Sequence, residues 1–321
     1  MHLVIPFVAP MSEAGRAALA SLRLPALNGL LAQLTPTRQA RPPGPDREGM
    51  TDPQGGDEYR LTPPHEQVIA QALGWQGGDG TLPWAAHAAA ADGIDTGPLA
   101  WGLLSPVHWQ LGREHLTMGD PQALGLDADT SRAYLEALRP LFESEGWRCE
   151  WGAPTRWYVA HASLAVLPTA SLDRVIGRNP DLWLPAHPGT RALQRLLSEV
   201  QMLLHGHPLN EAREAAGREP LNSVWLSGCG TAQPQSGAMP QVLEALRGPA
   251  LREDWPAWAV AWQALDTGPL HAALQACDPA LTLSLCGERR ALNLERRPAG
   301  LWSALRSRWQ RRPAAALLES L

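Results

Sequence analysis

HGHPLNEAREAAGREPLNSVWLSGCG, residues 205–230, is the stretch on which the reading of this chain turns. It opens on His205 and His207, passes Asn210, and closes on an apolar run from Asn222 to Gly230. NSVWLSGCG reads as a buried strand followed by a glycine turn. Just upstream, TRALQRLLSEVQMLLHGHP is a strongly periodic helix with Leu193, Leu196, Leu197, Val200, Leu203 and Leu204 on one face. The two histidines are i, i+2, so on a helix they point about 200° apart and do not chelate one ion. Pro208 and the preceding helix mark a helix end, where histidine interacts with terminal carbonyls and the dipole. That role is better supported by the spacing than a metal site, for which His205 and His207 are the weak candidates.

Outward from this stretch the chain alternates strand and helix. Residues 1–9 read as a short buried strand, and 12–34 as helix broken at Pro25. Residues 35–59 have proline, glycine and charge without a period and read as loop. Pro64–Leu73 is a helix opened by prolines and stopped at Gly74. Residues 98–118 alternate as the two strands of a hairpin. Residues 126–146 form an amphipathic helix with Asp127 or Asp129 as cap and Gly146 as stop, and 147–167 return to strand. Beyond residue 230, segments 237–248 and 256–276 read as helix, 281–288 as strand and 300–321 as helix. This order predicts an α/β fold, a central sheet flanked by helices over residues 1–98 and 168–321, with a small α+β domain inserted at 99–167.

Composition narrows the function classes. With 45% apolar and 18% charged residues the chain is that of a globular protein. A net charge of −5 and a pI near 6.1 argue against a general nucleic-acid-binding surface. All 27 cationic residues are arginine. A Schiff-base lysine, a phosphate-loop lysine and a lysine general base are therefore excluded. The four cysteines are scattered without a CxxC pair, which reads as reduced and intracellular. The N-terminal segment lacks the basic flank of a signal peptide. No apolar run approaches the ~18 residues of a membrane span. These features together predict a cytoplasmic protein.

Several segments, in order, resemble the archaeal-type cofactor-independent phosphoglycerate mutases of the alkaline phosphatase superfamily. They are LPALNGLLAQL (24–34), ALGWQGGDGTLPWAAHAAAADGID (72–95), LDADTSRAYLEAL (126–138) and, most closely, HPLNEAREAAGREPLNSVWLSGCG (207–230). A narrower resemblance is to the RpfE-type bacterial regulatory proteins, carried by DEYRLTPPHEQ (57–67), SLDRVIGRNPDLW (171–183) and NEAREAAGREPLNSVWLSGCG (210–230). The mutase resemblance implies an alkaline-phosphatase-like sheet and phosphoryl transfer through a serine held by two divalent cations. The chain departs from that pattern at the chemistry. Its first strand runs LVIPFVAP in place of the metal-binding aspartate, and the turn of the phosphorylated serine reads LTPPHEQV, with His65 near the serine position. The late ligand pairs have no clear counterpart. The resemblance with these departures implies a bacterial regulatory protein, or a binder of a phosphorylated small molecule, that has lost two-metal catalysis and needs no cofactor. The alternative is an active mutase or phosphatase with rearranged Mn or Zn ligands.

Candidate site residues follow. His65 and Glu66 are candidates for acid–base or phosphoryl-accepting roles. Adjacent positions on a helix diverge, so plain stabilisation of the helix dipole by Glu66 is the favoured reading, though such a helix start can also bind an anion. Arg174 and Arg178, i and i+4, fork a phosphate or carboxylate on one reading; on the other, Asp173 pairs with an arginine to fix a loop. Ser227, Gly228 and Gly230 close a strand where α/β folds place ligands, and Asn210 and Asn222 complete the ligand-binding set. Finally, Leu301, Trp302, Leu305 and Trp309 with Arg306, Arg308, Arg311 and Arg312 suggest a basic amphipathic helix. Such a helix docks on its own domain or binds a regulatory partner, a membrane surface or a nucleic acid.

Overall fold

The computed structural model describes residues 1–37, 59–112, 116–296 and 314–321. β1 (His2–Pro6) leads through α1 (Glu13–Ser21) and α2 (Pro25–Leu31) to β2 (Leu34–Pro36). α3 (Pro64–Leu73) and α4 (Trp84–Ala91) precede β3 (Ala100–Val107), β4 (Trp109–Leu111) and β5 (Leu116–Met118). α5 (Ala128–Ser144), β6 (Arg148–Ala153) and β7 (Arg156–Ala160) follow, then α6 (Leu172–Val175), α7 (Pro188–Leu204) and α8 (Pro208–Ala215). β8 (Ser223–Thr231), β9 (Gln241–Val242), α9 (Arg247–Leu251), α10 (Trp255–Leu265) and α11 (His271–Ala276) lead to β10 (Thr282–Cys286), β11 (Ala291–Arg296) and α12 (Ala314–Leu318).

The fold is mixed α/β. Its central sheet runs β2-β11-β10-β1-β9, with β1 parallel to both β10 and β9 and the other pairings antiparallel. Alternation along β1 explains the two layers of helix around it. Leu3 and Ile5 pack with Leu27, Leu30, Trp258 and Trp262 on one face, whereas Val4 meets Val68, Ile69 and Leu73 of α3 on the other. Because both faces are covered, β1 is apolar from Leu3 to Pro6, and in β10 the buried Ser284 hydroxyl is paired with His2 Nε2 at 2.8 Å. α2 lacks a side-chain cap of its own; the buried carboxylate of Asp266, in a π turn after α10, accepts from Ala26 N at 3.1 Å and Leu27 N at 2.8 Å.

A second, antiparallel sheet runs β6-β7-β3-β8. α5 and α7 bury Tyr134, Leu138, Phe142, Leu196 and Val200 on one face, and the alanines of α4 lie against Trp101 and Tyr158 on the other. The sheet thus draws its fourth strand, and two of its three covering helices, from outside residues 99–167.

Several expectations need correction. Residues 98–118 do not form one hairpin: β3 pairs with β7 and β8, and the hairpin is the short β4–β5 ribbon. The helix expected over 237–248 forms only at its end, as a 3-10 turn at Glu244–Leu246 running into α9; before it, β9 pairs along the open side of β1, with Leu243 N donating to Val4 O at 2.8 Å. Gly228 and Gly230 lie inside β8 and not in a turn after it, and β11 was not foreseen. The basic helix with Trp302 and Trp309 lies outside the described residues.

One buried hydroxyl ties α5 to the β6–β7 edge of the second sheet. Ser131 Oγ accepts from Trp157 Nε1 at 2.9 Å and Trp151 Nε1 at 3.0 Å and donates to Pro154 O at 2.9 Å. Ser131→Ala strands two indole N–H groups and is expected to lower unfolding free energy by about 2 kcal/mol in urea titrations. A loss below about 0.5 kcal/mol would show that the indoles find other acceptors.

Candidate functional site

The carboxyl ends of β1 and β10 meet the start of α3, the edge at which open α/β sheets present chemistry. Beyond β1, Phe7 takes a left-handed conformation (φ +57°), and its ring centroid lies 5.5 Å from that of His65. α3 begins with Pro63 as cap and Pro64 in its first turn, which puts His65 and Glu66 in the first turn of a buried helix start. Asp79 fixes the approach by accepting from Leu61 N at 3.0 Å and Thr62 N at 2.9 Å.

The segment SLDRVIGR is folded against this helix start. Ser171 caps α6 by accepting from Asp173 N, and its hydroxyl donates to Glu66 Oε1 at 2.5 Å. His65 Nε2 lies 3.3 Å from Asp173 Oδ2. Arg247 closes on the other oxygen, with Nε at 2.9 Å and Nη2 at 2.5 Å from Oδ1. Arg174 Nη1 donates to Glu288 O at 2.7 Å and lies 3.3 Å from Oε2, and Arg178 Nη2 donates to Oε1 at 2.8 Å. Arg174 is almost fully buried, and its Nε and Nη2 have no partner. Three guanidinia therefore share a small volume with three carboxyl groups. Arg174 and Arg178 do not fork an open anion site; both are turned to Glu288.

Burial raises both carboxyls, but the two end on opposite sides of their ordinary values. It pushes Glu66 up to about 7, against the downward pull of His65 and the Ser171 hydroxyl. Burial also pushes Asp173 up, but the bond to His65 and the charges of Arg247 and His65 together outweigh it and hold the group at about 2. A cavity of about 120 Å³ opens beside this pair, with Thr62, Glu66, Thr169, Ser171, Asp173 and Ser227 among its walls.

The remaining sequence candidates sit elsewhere or serve the fold. Gly228 (φ +61°) borders the cavity, but a Cβ there would fall 2.9 Å from Trp84 Cβ, and one at Gly230 3.1 Å from Pro83 Cα. These glycines let α4 approach β8. Asn210 is spent: Oδ1 accepts from Tyr134 Oη and Leu221 N, and Nδ2 donates to Leu204 O and Leu221 O. Asn222 is likewise spent on both backbone groups of Trp109. His205 caps the end of α7, and His207 caps α8 with Nδ1 accepting from Leu209 N. A cavity of about 380 Å³ beside His205 is lined by Trp109, Leu116, Gln201, Glu211 and Glu214. Among the described residues no group of three or more His, Cys, Asp or Glu side chains is placed to hold a metal ion. Sequence reading missed Ser171, Arg247 and Glu288; no local pattern marks the last two.

No protein-family profile matches the chain, and no curated protein matches it. Solved structures do match. One is the cofactor-independent phosphoglycerate mutase of Thermoplasma acidophilum, at 13% identity and a TM-score of 0.36 over 91% of this chain and 88% of that one. Another is the PH0037 protein of Pyrococcus horikoshii, at 9% identity and a TM-score of 0.40 over 91% and 86% of the two chains.

Glu66 gives the site a pH signature. A carboxyl raised from 4.5 to about 7 adds stability that is fully present below about pH 4.5 and is lost as pH rises through 7. The shift corresponds to about 3 kcal/mol. Glu66→Gln keeps an acceptor for Ser171 and is expected to abolish that part of the decline between about pH 4.5 and 8 in urea denaturation series. Equal declines in the two proteins would show that Glu66 ionises in the fold without cost.

Proposed function

We propose that this chain is a ligand-binding regulatory protein on a phosphoglycerate-mutase-like frame, in which internal charge pairing has replaced two-cation phosphoryl transfer. The carrying observation is the Arg247 guanidinium on Asp173, beside the histidine that stands near the position of the reactive serine in the family the sequence resembles. Two divalent cations need several carboxylate or imidazole ligands free of competing cations. Here Asp173 is held by Arg247, Glu288 is held by Arg174 and Arg178, and Glu66 keeps its proton up to about pH 7. That donor set does not fit the pair of cations the family uses, and the serine nucleophile is replaced.

Regulation is supported by the RpfE-type resemblance of residues 57–67, 171–183 and 210–230. A cytoplasmic setting is supported by Cys149, Cys229, Cys277 and Cys286, all free thiols. No helix among the described residues is long and apolar enough to cross a membrane. A phosphorylated ligand would need guanidinium groups released from the carboxylates that now hold them.

Metal analysis and turnover of the purified protein test the reading. Mn and Zn are expected far below one equivalent per chain, with no mutase activity on 3-phosphoglycerate and no hydrolysis of an aryl phosphate when either metal is added. Two bound cations per chain with turnover would overturn it in favour of a mutase or phosphatase with rearranged ligands.

A further inference from the structure

Resting on the reading of this edge as a binding site, we infer that the cavity beside Glu66 and Ser227 receives a small uncharged polyol, and not a phosphorylated compound. Ser227 is the pointer to a ligand. It is 4% exposed, borders the cavity, and its hydroxyl makes no hydrogen bond within the described chain. The residue is buried but its hydroxyl borders the cavity without a protein partner, so a ligand hydroxyl can both donate to it and accept from it. Glu66 contributes a second open position, since only its Oε1 is engaged, by Ser171.

The wall chemistry sets the ligand class. Glu66 and Asp173 both border the space, so a phosphate would meet carboxyl groups and no free cation. Arg247 does not line the cavity. Neither does Arg174, despite its two unpartnered N–H groups. An ammonium ion would compete with Arg247 and His65 for Asp173. Uncharged hydroxyls both donate and accept, which suits a carboxyl, a serine hydroxyl and the neighbouring Thr62 and Thr169. The same lining includes Leu82, Trp84 and Leu103, apolar surface for the carbon-bound hydrogens. About 120 Å³ is somewhat smaller than the ~150 Å³ cavity that accepts benzene, so the ligand has about six non-hydrogen atoms. A three-carbon triol has that size.

Saturation-transfer NMR and calorimetry on chelator-treated full-length protein test this with glycerol, glycerol 3-phosphate, inorganic phosphate and ethanolammonium as probes. Saturable glycerol binding is expected, with both phosphates and the ammonium compound at least about tenfold weaker. Ser227→Ala, which breaks no internal hydrogen bond and so keeps the fold, is expected to weaken glycerol about tenfold, the loss of one hydrogen bond. Absent glycerol binding, tighter binding of a phosphate or the ammonium probe, or an unchanged affinity in Ser227→Ala would each overturn the inference. None of these outcomes depends on metal content or phosphate turnover, which test the parent reading separately.

Discussion

The Asp173 carboxylate, set between His65 and Arg247, is the constraint on which this edge of the molecule depends. Its side chain is only 11% exposed, so its charge is tolerable only while both neighbours stay in place. Those neighbours come from the start of α3 and the start of α9, and Asp173 itself from α6. A buried pair of this kind adds little net stability against an apolar substitute, but removing one partner leaves a stranded charge at a cost of several kcal/mol. The pair therefore acts less as glue than as a register pin: the three segments meet in the one arrangement that keeps the charge compensated. Glu288, just past the end of β10, repeats the device with Arg174 and Arg178 and ties the same short α6 segment to the central sheet.

How much of this was readable in the sequence follows from how local each cause is. α3 was expected over Pro64–Leu73 and forms over those residues, because its proline start and Gly74 stop are written in adjacent positions. The long helix α5 likewise carries its own cap at Asp127, whose carboxylate accepts from Thr130 N at 2.8 Å. The short helix α2 is different: its capping group, Asp266, is about 240 positions away in the chain. The pairings that define the site have the same character. Asp173 and Arg247 are separated by 74 positions, and Arg174 and Glu288 by 114. Ion pairs of that span leave no periodic trace, so the sequence marks Asp173, Arg174 and Arg178 as a charged group without revealing what each one faces. The helix expected at 237–248 starts late for a related reason: at Gln241–Val242 the edge of β1 takes the backbone hydrogen bonds, and helical turns begin only at Glu244.

Glycine misled in an instructive way. A Gly-Cys-Gly run after an apolar strand suggests backbone bared for a ligand. In the structure the same absence of a side chain is used inward, where Gly228 and Gly230 admit the backbone of the Pro83–Trp84 turn. One consequence does reach the cavity: with α4 drawn close to β8, Trp84 and Leu103 form its apolar wall while Ser227 borders the same space. Close packing and the shape of the candidate site are thus one feature.

The absence of lysine bears on how this site responds to its surroundings. A guanidinium stays charged across the accessible pH range, so Arg174, Arg178 and Arg247 are fixed charges, and Asp173, held near 2, is fixed as well. Glu66, near 7, is then the carboxyl of the group whose charge changes around neutrality. On the proposed reading, a divalent cation entering here would have to displace Arg247 and leave its guanidinium without a carboxylate in a largely buried place. On that reading, the contact that holds the three segments in register would be the same one that excludes the ion. With the arginines and Asp173 fixed, the polarity of the adjoining cavity is set by the Glu66 proton and the hydroxyls of Thr62, Thr169, Ser171 and Ser227.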